Sequence, residues 1–261
     1  MKAMILAAGL GTRLRPLTDT RPKALVELNG RTLLEITLAR LRQFGVTEAI
    51  INVHHHAQMV IDYLSSKNNF GMRLEISRED DQLLDTGGGL KKAAWFFEEN
   101  PASLDTPFVL HNVDVISSID LLAMIQVHVQ RKALASLAVQ SRESSRQLLF
   151  TPQLQLAGRR IHDQDELARG AAADGTTAPS QQSSPLLPLA FSGIHVISPR
   201  LFPRLIESTP VFSIIDSYLR LSSQGERIQA FRHDTSYWRD LGKPGDLAQA
   251  AQDLEHNGIS W

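Results

Sequence analysis

The chain predicts an α/β fold, a mixed, mostly parallel sheet covered by helices on both faces, with a smaller lobe late in the chain. Three observations carry that expectation. Apolar runs and helix-period segments alternate from the first residue to about residue 145. Several of the runs are continuously apolar, the pattern of strands buried on both faces. The 261 residues suffice for one large core, and they show no internal repeat and no long linker between independent units.

Each element follows from its local pattern. "KAMILAA" (2–8) is a buried strand. "RTLLEITLARLRQFG" (31–45) puts Leu34, Leu38 and Leu41 on one helical face and stops at Gly45, a C-terminal cap. "EAIINV" (48–53) reads as strand, "AQMVIDYLSS" (57–66) as helix and "MRLEIS" (72–77) as strand. "GGLKKAAWFFEEN" (88–100) reads as one helix closing before Pro101, and "PFVLHNVD" (107–114) as another buried strand. Helix "IDLLAMIQVHVQR" (119–131) and strand "LASLAVQ" (134–140) complete the first half.

After residue 145 the rhythm changes. "QLLFTPQLQLAG" (147–158) reads as a strand pair turning at Thr151-Pro152. Residues 158–188 are rich in Gly, Ala, Ser, Gln and Pro with little apolar periodicity; they read as a mobile surface insertion or a flap over a site. "AFSGIHVIS" (190–198) restores a strand. "PRLFPRLIE" (199–207) and "FSIIDSYLRLSSQ" (212–224) read as helices and "RIQAFRHD" (227–234) as a strand, before a turn into a final helix within 236–255.

Composition excludes several classes. Lys and Arg number 27 against 28 Asp and Glu, so no basic excess steers the chain toward nucleic acid. Cysteine is absent, which removes disulfides, thiolate catalysis and cysteine zinc sites. No apolar run approaches the roughly 20 residues of a membrane span. With no signal peptide visible, the expectation is a soluble, cytoplasmic protein, a monomer or small homo-oligomer, with no nucleic-acid or membrane partner.

The first 30 residues concentrate the chemistry. A strand runs into Ala7-Ala8-Gly9, then Gly11, Arg13, Arg15 and Lys23 between prolines. Glycines let backbone N–H groups approach an anion, and the cations add charge-assisted contacts. The spacing fails the P-loop pattern, which needs Lys-Ser/Thr after its second glycine. It also fails the dinucleotide fingerprint, because Leu14 takes the third small position and Pro16 blocks an uninterrupted helix.

The full string "LAAGLGTRLRPLTDTRPKAL", with "VELNGRTLLE" after it, resembles the signature of the sugar-1-phosphate nucleotidyltransferases. The resemblance continues through "DTGGGL" (85–90), "FSGIHV" (191–196) and "WRDLG" (238–242), and is nearest the short single-domain branch. It implies a Rossmann-like α/β/α sandwich divided into a nucleotide-binding core (1–145), a sugar-binding lobe (146–236) and a closing segment (237–261). It implies transfer of a nucleoside monophosphate from a nucleoside triphosphate to a sugar 1-phosphate, releasing pyrophosphate, with UTP and an amino sugar favoured and GTP with mannose 1-phosphate as the alternative.

The residue roles follow from the same resemblance. Arg13 would hold the leaving pyrophosphate and Lys23 the α-phosphate. Asp114 and Asp240 would hold Mg²⁺, a cation content with one or two carboxylates plus phosphate oxygens. Leu6, Ala7, Ala8, Gly9, Gly11 and Thr12 would lie along the nucleotide, and Gly87 and Gly88 would read the base through their main chain. Asn112, Ser192 and Gly193 would contact the sugar. Arg15 fits a phosphate contact or a surface salt bridge. The chain departs from the commoner Asn-Gly-Asp pattern in having Val113 before Asp114, and no residue matches the mid-chain lysine that some members place against the sugar phosphate.

Other features point elsewhere or nowhere. His54, His55 and His56 are adjacent in sequence and cannot easily converge on a metal. Asp80-Asp81 reads as a solvated loop and "AAWFF" as core. A silent nucleotide-sugar-binding module need not keep Arg13, Lys23, Asp114 and Asp240 together. A glycosyltransferase would want an Asp-x-Asp metal motif where this chain has "HNVD".

Overall fold

The computed structural model describes residues 1–99, 106–168 and 185–257. In chain order come β1 (Lys2–Leu6), β2 (Glu27–Leu28), β3 (Arg31–Thr32), α1 (Leu33–Gln43), β4 (Glu48–Val53), α2 (Ala57–Ser66) and β5 (Arg73–Arg78). Next are α3 (Asp85–Lys92), α4 (Ala94–Glu98), β6 (Phe108–Asn112), β7 (Val115–Ser117), α5 (Leu121–Gln130), β8 (Ala135–Gln140), β9 (Arg146–Phe150), β10 (Leu156–Ile161) and β11 (Gln164–Leu167). The described chain closes with β12 (Leu187–Ile197), α6 (Ile214–Ser223), β13 (Ile228–Arg232), β14 (Trp238–Asp240) and α7 (Pro244–Asn257).

β1 is apolar on both sides because both of its faces are covered. Ala3 and Ile5 join one core cluster and Met4 the other, as alternation along a strand requires. Leu34, Leu38 and Leu41 of α1 fill the first cluster with Val60 and Leu64 of α2, Met124 of α5 and Ala250 of α7. Leu90 of α3, Phe96 and Phe97 of α4 and Tyr218 and Leu221 of α6 fill the second. Two helical layers therefore sandwich one sheet. Each such aliphatic side chain, wholly withdrawn from water, contributes about 1.5–3 kcal/mol.

The ten-stranded sheet runs β11-β10-β9-β12-β6-β1-β4-β5, with β8 also paired to β12 and β13 paired to β8. β6, β1, β4 and β5 are mutually parallel, so their carboxyl ends share one edge, and β12 lies antiparallel to β6. Two short ribbons stand outside the sheet, β2 with β3 and β7 with β14. No helix among the described residues is long and apolar enough to cross a membrane.

Three expectations need correction. Residues 88–100 do not form one helix: the turn breaks at Ala93, and α4 then lays both Phe96 and Phe97 into the second core, Phe97 stacked 3.8 Å from Phe108. Residues 199–204 form only a 3₁₀ segment, since Pro203 inside it has no N–H to donate. The described part of the 158–188 stretch carries strands that its composition did not announce, because β10 and β11 pair antiparallel and β12 begins at Leu187. Of the insertion or flap read over 158–188, residues 169–184 lie outside the described residues.

Candidate active site

The opening loop leaves β1 at its carboxyl end and turns at Gly11, whose φ of +66° suits glycine. A side chain there would also meet Thr18 at 2.9 Å, and the Thr18 hydroxyl donates to the Gly11 carbonyl at 2.8 Å. Thr12, Arg13 and Leu14 form a 3₁₀ turn; Leu14 is buried, while Thr12 and Arg13 stay exposed. Pro22 starts a second 3₁₀ turn, Lys23–Leu25, anchored by buried Ala24 and Leu25. That anchor presses Lys23 inward until only 8% of it is exposed, and its ammonium donates to Asp114 Oδ2. Arg15 instead makes an exposed pair with Asp19 at 3.3 Å.

Asp114 sits in the turn between β6 and β7. Asp240 ends β14, which pairs antiparallel with β7, Asp240 opposite Val115. The Leu241 amide donates to the Asp114 carbonyl at 2.8 Å, and buried Leu241, Val115 and Ile116 pin the ribbon to the core. Two acids 126 positions apart in sequence are thereby neighbours, 240 − 114. Burial first, and then the charge of Asp114, hold the Asp240 carboxyl above its ordinary range; Lys23, Arg13 and the Gly242 amide oppose that rise. Gly242 shows how tightly the groups converge. A Cβ there would lie 2.5 Å from Asp240 Oδ1 and 2.8 Å from Arg13 Nη2.

Beside these charges opens a cleft of about 390 Å³ lined by Leu6, Ala7, Ala8, Gly9, Lys23, Asn52, Glu79, Leu83, Asp85, Thr86, Asn112, Val113, Asp114 and Val211. Its floor is the carboxyl edge of the parallel strands, where open α/β sheets bind ligands. Val113 is buried and its amide donates to the Leu6 carbonyl at 3.1 Å. It is not among the positive-φ residues, so the backbone here does not call for the freedom of glycine.

Asn52 and Glu79, unexpected from the sequence, hold the wall together. The Ala8 amide donates to Asn52 Oδ1 at 3.2 Å, Asn52 Nδ2 donates to Glu79 Oε1, and the Leu84 amide donates to Glu79 Oε2 at 2.7 Å. Glu79 is only 2% exposed. Their signal was positional, since Asn52 lies near the carboxyl end of β4 and Glu79 follows β5.

The glycines of α3 do not face the cleft. The Gly87 amide donates to the Phe212 carbonyl at 2.9 Å, and a Cβ on Gly87 would strike the Phe212 ring at 2.3 Å. Leu83, Asp85 and Thr86 line the cleft from this loop instead. On the late lobe, Gly193 lies against Asn112, where a Cβ would come within 2.9 Å of Asn112 Nδ2. Ser192 is fully buried; its hydroxyl lies 2.7 Å from His233 Nε2 and its carbonyl accepts from Trp238 Nε1 at 2.8 Å. It stands behind the site as a support. His54 contacts the Glu79 carbonyl through Nδ1, and the His55 and His56 rings lie 3.8 Å apart. Asp80 pairs with Arg78 at 3.0 Å on the surface.

Fold and site together define a class: a Rossmann-like α/β sandwich with two cations and two carboxylates converging beside a cleft at a small-residue strand end. The nucleotidyl transferase family matches residues 2–147, and the chain belongs to it. A relative from Neisseria meningitidis, named N-acetylmuramate alpha-1-phosphate uridylyltransferase, is 31% identical over 96% of this chain and 96% of its own. One of the same name from Caulobacter vibrioides is 46% identical over 114 residues, 42% of this chain and 47% of that protein. Among solved structures, HddC from Yersinia pseudotuberculosis complexed with GMP-PN shares the fold with a TM-score of 0.72 at 20% identity, covering 97% of this chain and 99% of that one.

Proposed function

We propose that the protein transfers a nucleoside monophosphate from a nucleoside triphosphate to a sugar 1-phosphate, giving a nucleoside-diphosphate sugar and pyrophosphate. UTP with an amino-sugar 1-phosphate is the favoured pair, a reading supported by the full-length likeness to the Neisseria relative. The observation that carries the proposal is the convergence of Arg13, Lys23, Asp114 and Asp240 at one mouth of the Leu6–Gly9 cleft.

An oxygen of the acceptor's phosphate forms a bond to the α-phosphorus as the bond to the β-bridging oxygen breaks, and pyrophosphate leaves with that electron pair. The attacking oxygen is already deprotonated, so no general base is required. The site's task is positioning and charge neutralisation. Leu6, Ala7, Ala8 and Gly9 admit the nucleoside close to the strand backbone. Lys23 meets the α-phosphate, Arg13 and Gly11 the leaving phosphates, and Asn112 and Gly193 the sugar.

Asp114 and Asp240 would hold Mg²⁺. They fit it: two neighbouring carboxylates, one held above its ordinary range partly by the other's charge, form a donor set that a cation relieves. Among the described residues no third acid, cysteine or histidine joins them, in keeping with an ion that completes its shell with phosphate oxygens and water. When bound, the ion would neutralise charge across the triphosphate. The test is pyrophosphate release from each of four nucleoside triphosphates against a panel of sugar 1-phosphates that includes mannose 1-phosphate. Release that requires metal, triphosphate and sugar 1-phosphate together is expected, fastest with UTP and an amino sugar. No release with any pair would overturn the reading.

A further inference from the structure

The cations near Asp240 come from two places. Arg13 and Lys23 arrive from the opening loop. Arg142 arrives from just beyond β8 and lies over the Trp238 ring, its guanidinium carbon 3.8 Å from the centroid. Trp238 and Asp240 are two positions apart on β14 and so share one face of that strand. Burial lowers the Arg142 pKa and the Asp240 carboxylate opposes the fall.

Arg142 is half-buried, yet among the described residues no carboxylate forms an ion pair with it. One Nη2 hydrogen goes to the Phe191 carbonyl at 2.8 Å, while Nε is buried with no partner. A guanidinium carries five N–H donors, and withdrawing one from water without an anion is costly. Its platform is nonetheless fixed: Trp238 is tied to the Ser192 carbonyl, and Ser192 to buried His233. An aromatic face that orients a planar fork with open donors is a device for binding phosphate.

Position says which phosphate. Arg142 is not among the residues lining the Leu6–Gly9 cleft. It is reached from that cleft through Asn112, Gly193, Ser192 and Trp238, in that order of contact. The acceptor is a dianion that must approach a triphosphate and two carboxylates, and it needs a cation not already engaged. On the function proposed above, Lys23 and Arg13 are taken by the triphosphate, and they already face Asp114 and Asp240. Resting on the function proposed above, we propose that Arg142 receives the phosphate of the sugar 1-phosphate and sets the requirement for a phosphorylated sugar.

The test is the kinetic split in R142Q, which removes the charge and keeps a donor toward Phe191. The sugar 1-phosphate KM rises about 10- to 100-fold, the loss expected for a charge-assisted contact, while triphosphate affinity measured by direct titration stays within about twofold. R142K, which keeps the charge without the fork, falls between and covers the case in which R142Q does not fold. An unchanged sugar 1-phosphate KM in both variants, or a loss confined to the triphosphate, overturns the assignment of Arg142. Wild-type protein that turns over no pair overturns the underlying reaction instead.

Discussion

A methyl group placed on Gly9 would find nothing within 4 Å, whereas one placed on Gly88 would lie 2.1 Å from the Pro210 carbonyl oxygen. Both glycines belong to short glycine-bearing segments that read in the sequence as nucleotide loops. Gly9 is exposed and lines the cleft; Gly88 is buried against the 210–212 segment. In the first loop glycine leaves open space at the cleft, and in the second it leaves room for the protein itself. Residue type was the same signal for two physical needs, and only the packing partner separates them.

The largest test of the open side is Lys23→Ala. It should lower turnover by about 10²–10³-fold, the loss of roughly 2.7–4 kcal/mol seen when a preorganised charge-stabilising donor is removed. Steady-state pyrophosphate release checks it, and unchanged turnover would break the assignment of the open loop. Next comes the pair that states the contrast directly. Gly88→Ala should destabilise the fold by about 1–3 kcal/mol, because the obstacle is backbone that cannot swing aside. Gly9→Ala should leave stability within about 0.5 kcal/mol and weaken triphosphate binding instead. Denaturant midpoints and nucleotide titrations of both variants decide it; equal effects in both assays would erase the distinction.

A further test reaches the packed interior. Burial holds His111, His128 and His233 down to a pKa of about 4 and His195 to about 3. Between the unfolded value near 6.5 and these folded values the unfolded chain binds more protons, so stability rises with pH across that window. The contribution is complete above about pH 6.5 and is lost on acidification toward 4. Urea midpoints measured from pH 7 to 4 should fall accordingly, and His128→Gln should flatten the slope. A flat profile in the wild type would show that these rings are not held neutral.

The alternation of β1, α1, β4, α2 and β5 was legible because β1 and β4 face core on both sides, β5 lays Leu74 and Ile76 against one core, and each helix buries one face. The β10–β11 hairpin was not, and its residues explain why. Arg159 pairs with Glu166 at 2.7 Å and Arg160 with Asp165 at 2.6 Å across an exposed surface, so charge complementarity replaces the apolar alternation a reader looks for. Lys23, Asp114 and Asp240 were legible as parts of strings with a known resemblance. Asn52 and Glu79 sit in no such string, and their importance appears only once parallel strands bring their ends together. Ser192 was read as a sugar contact from the resemblance of "FSGIHV"; in the structure its hydroxyl lies against His233, a partner no string announces.

The β7–β14 ribbon gives the order of synthesis a chemical meaning. All ten strands of the main sheet have been made once Arg232 is in place, yet the second acid arrives only at residue 240. A product cut between those points would keep every strand of the main sheet but lose α7 from the first core and, on the function proposed above, half of the carboxylate pair; it is expected to release no pyrophosphate.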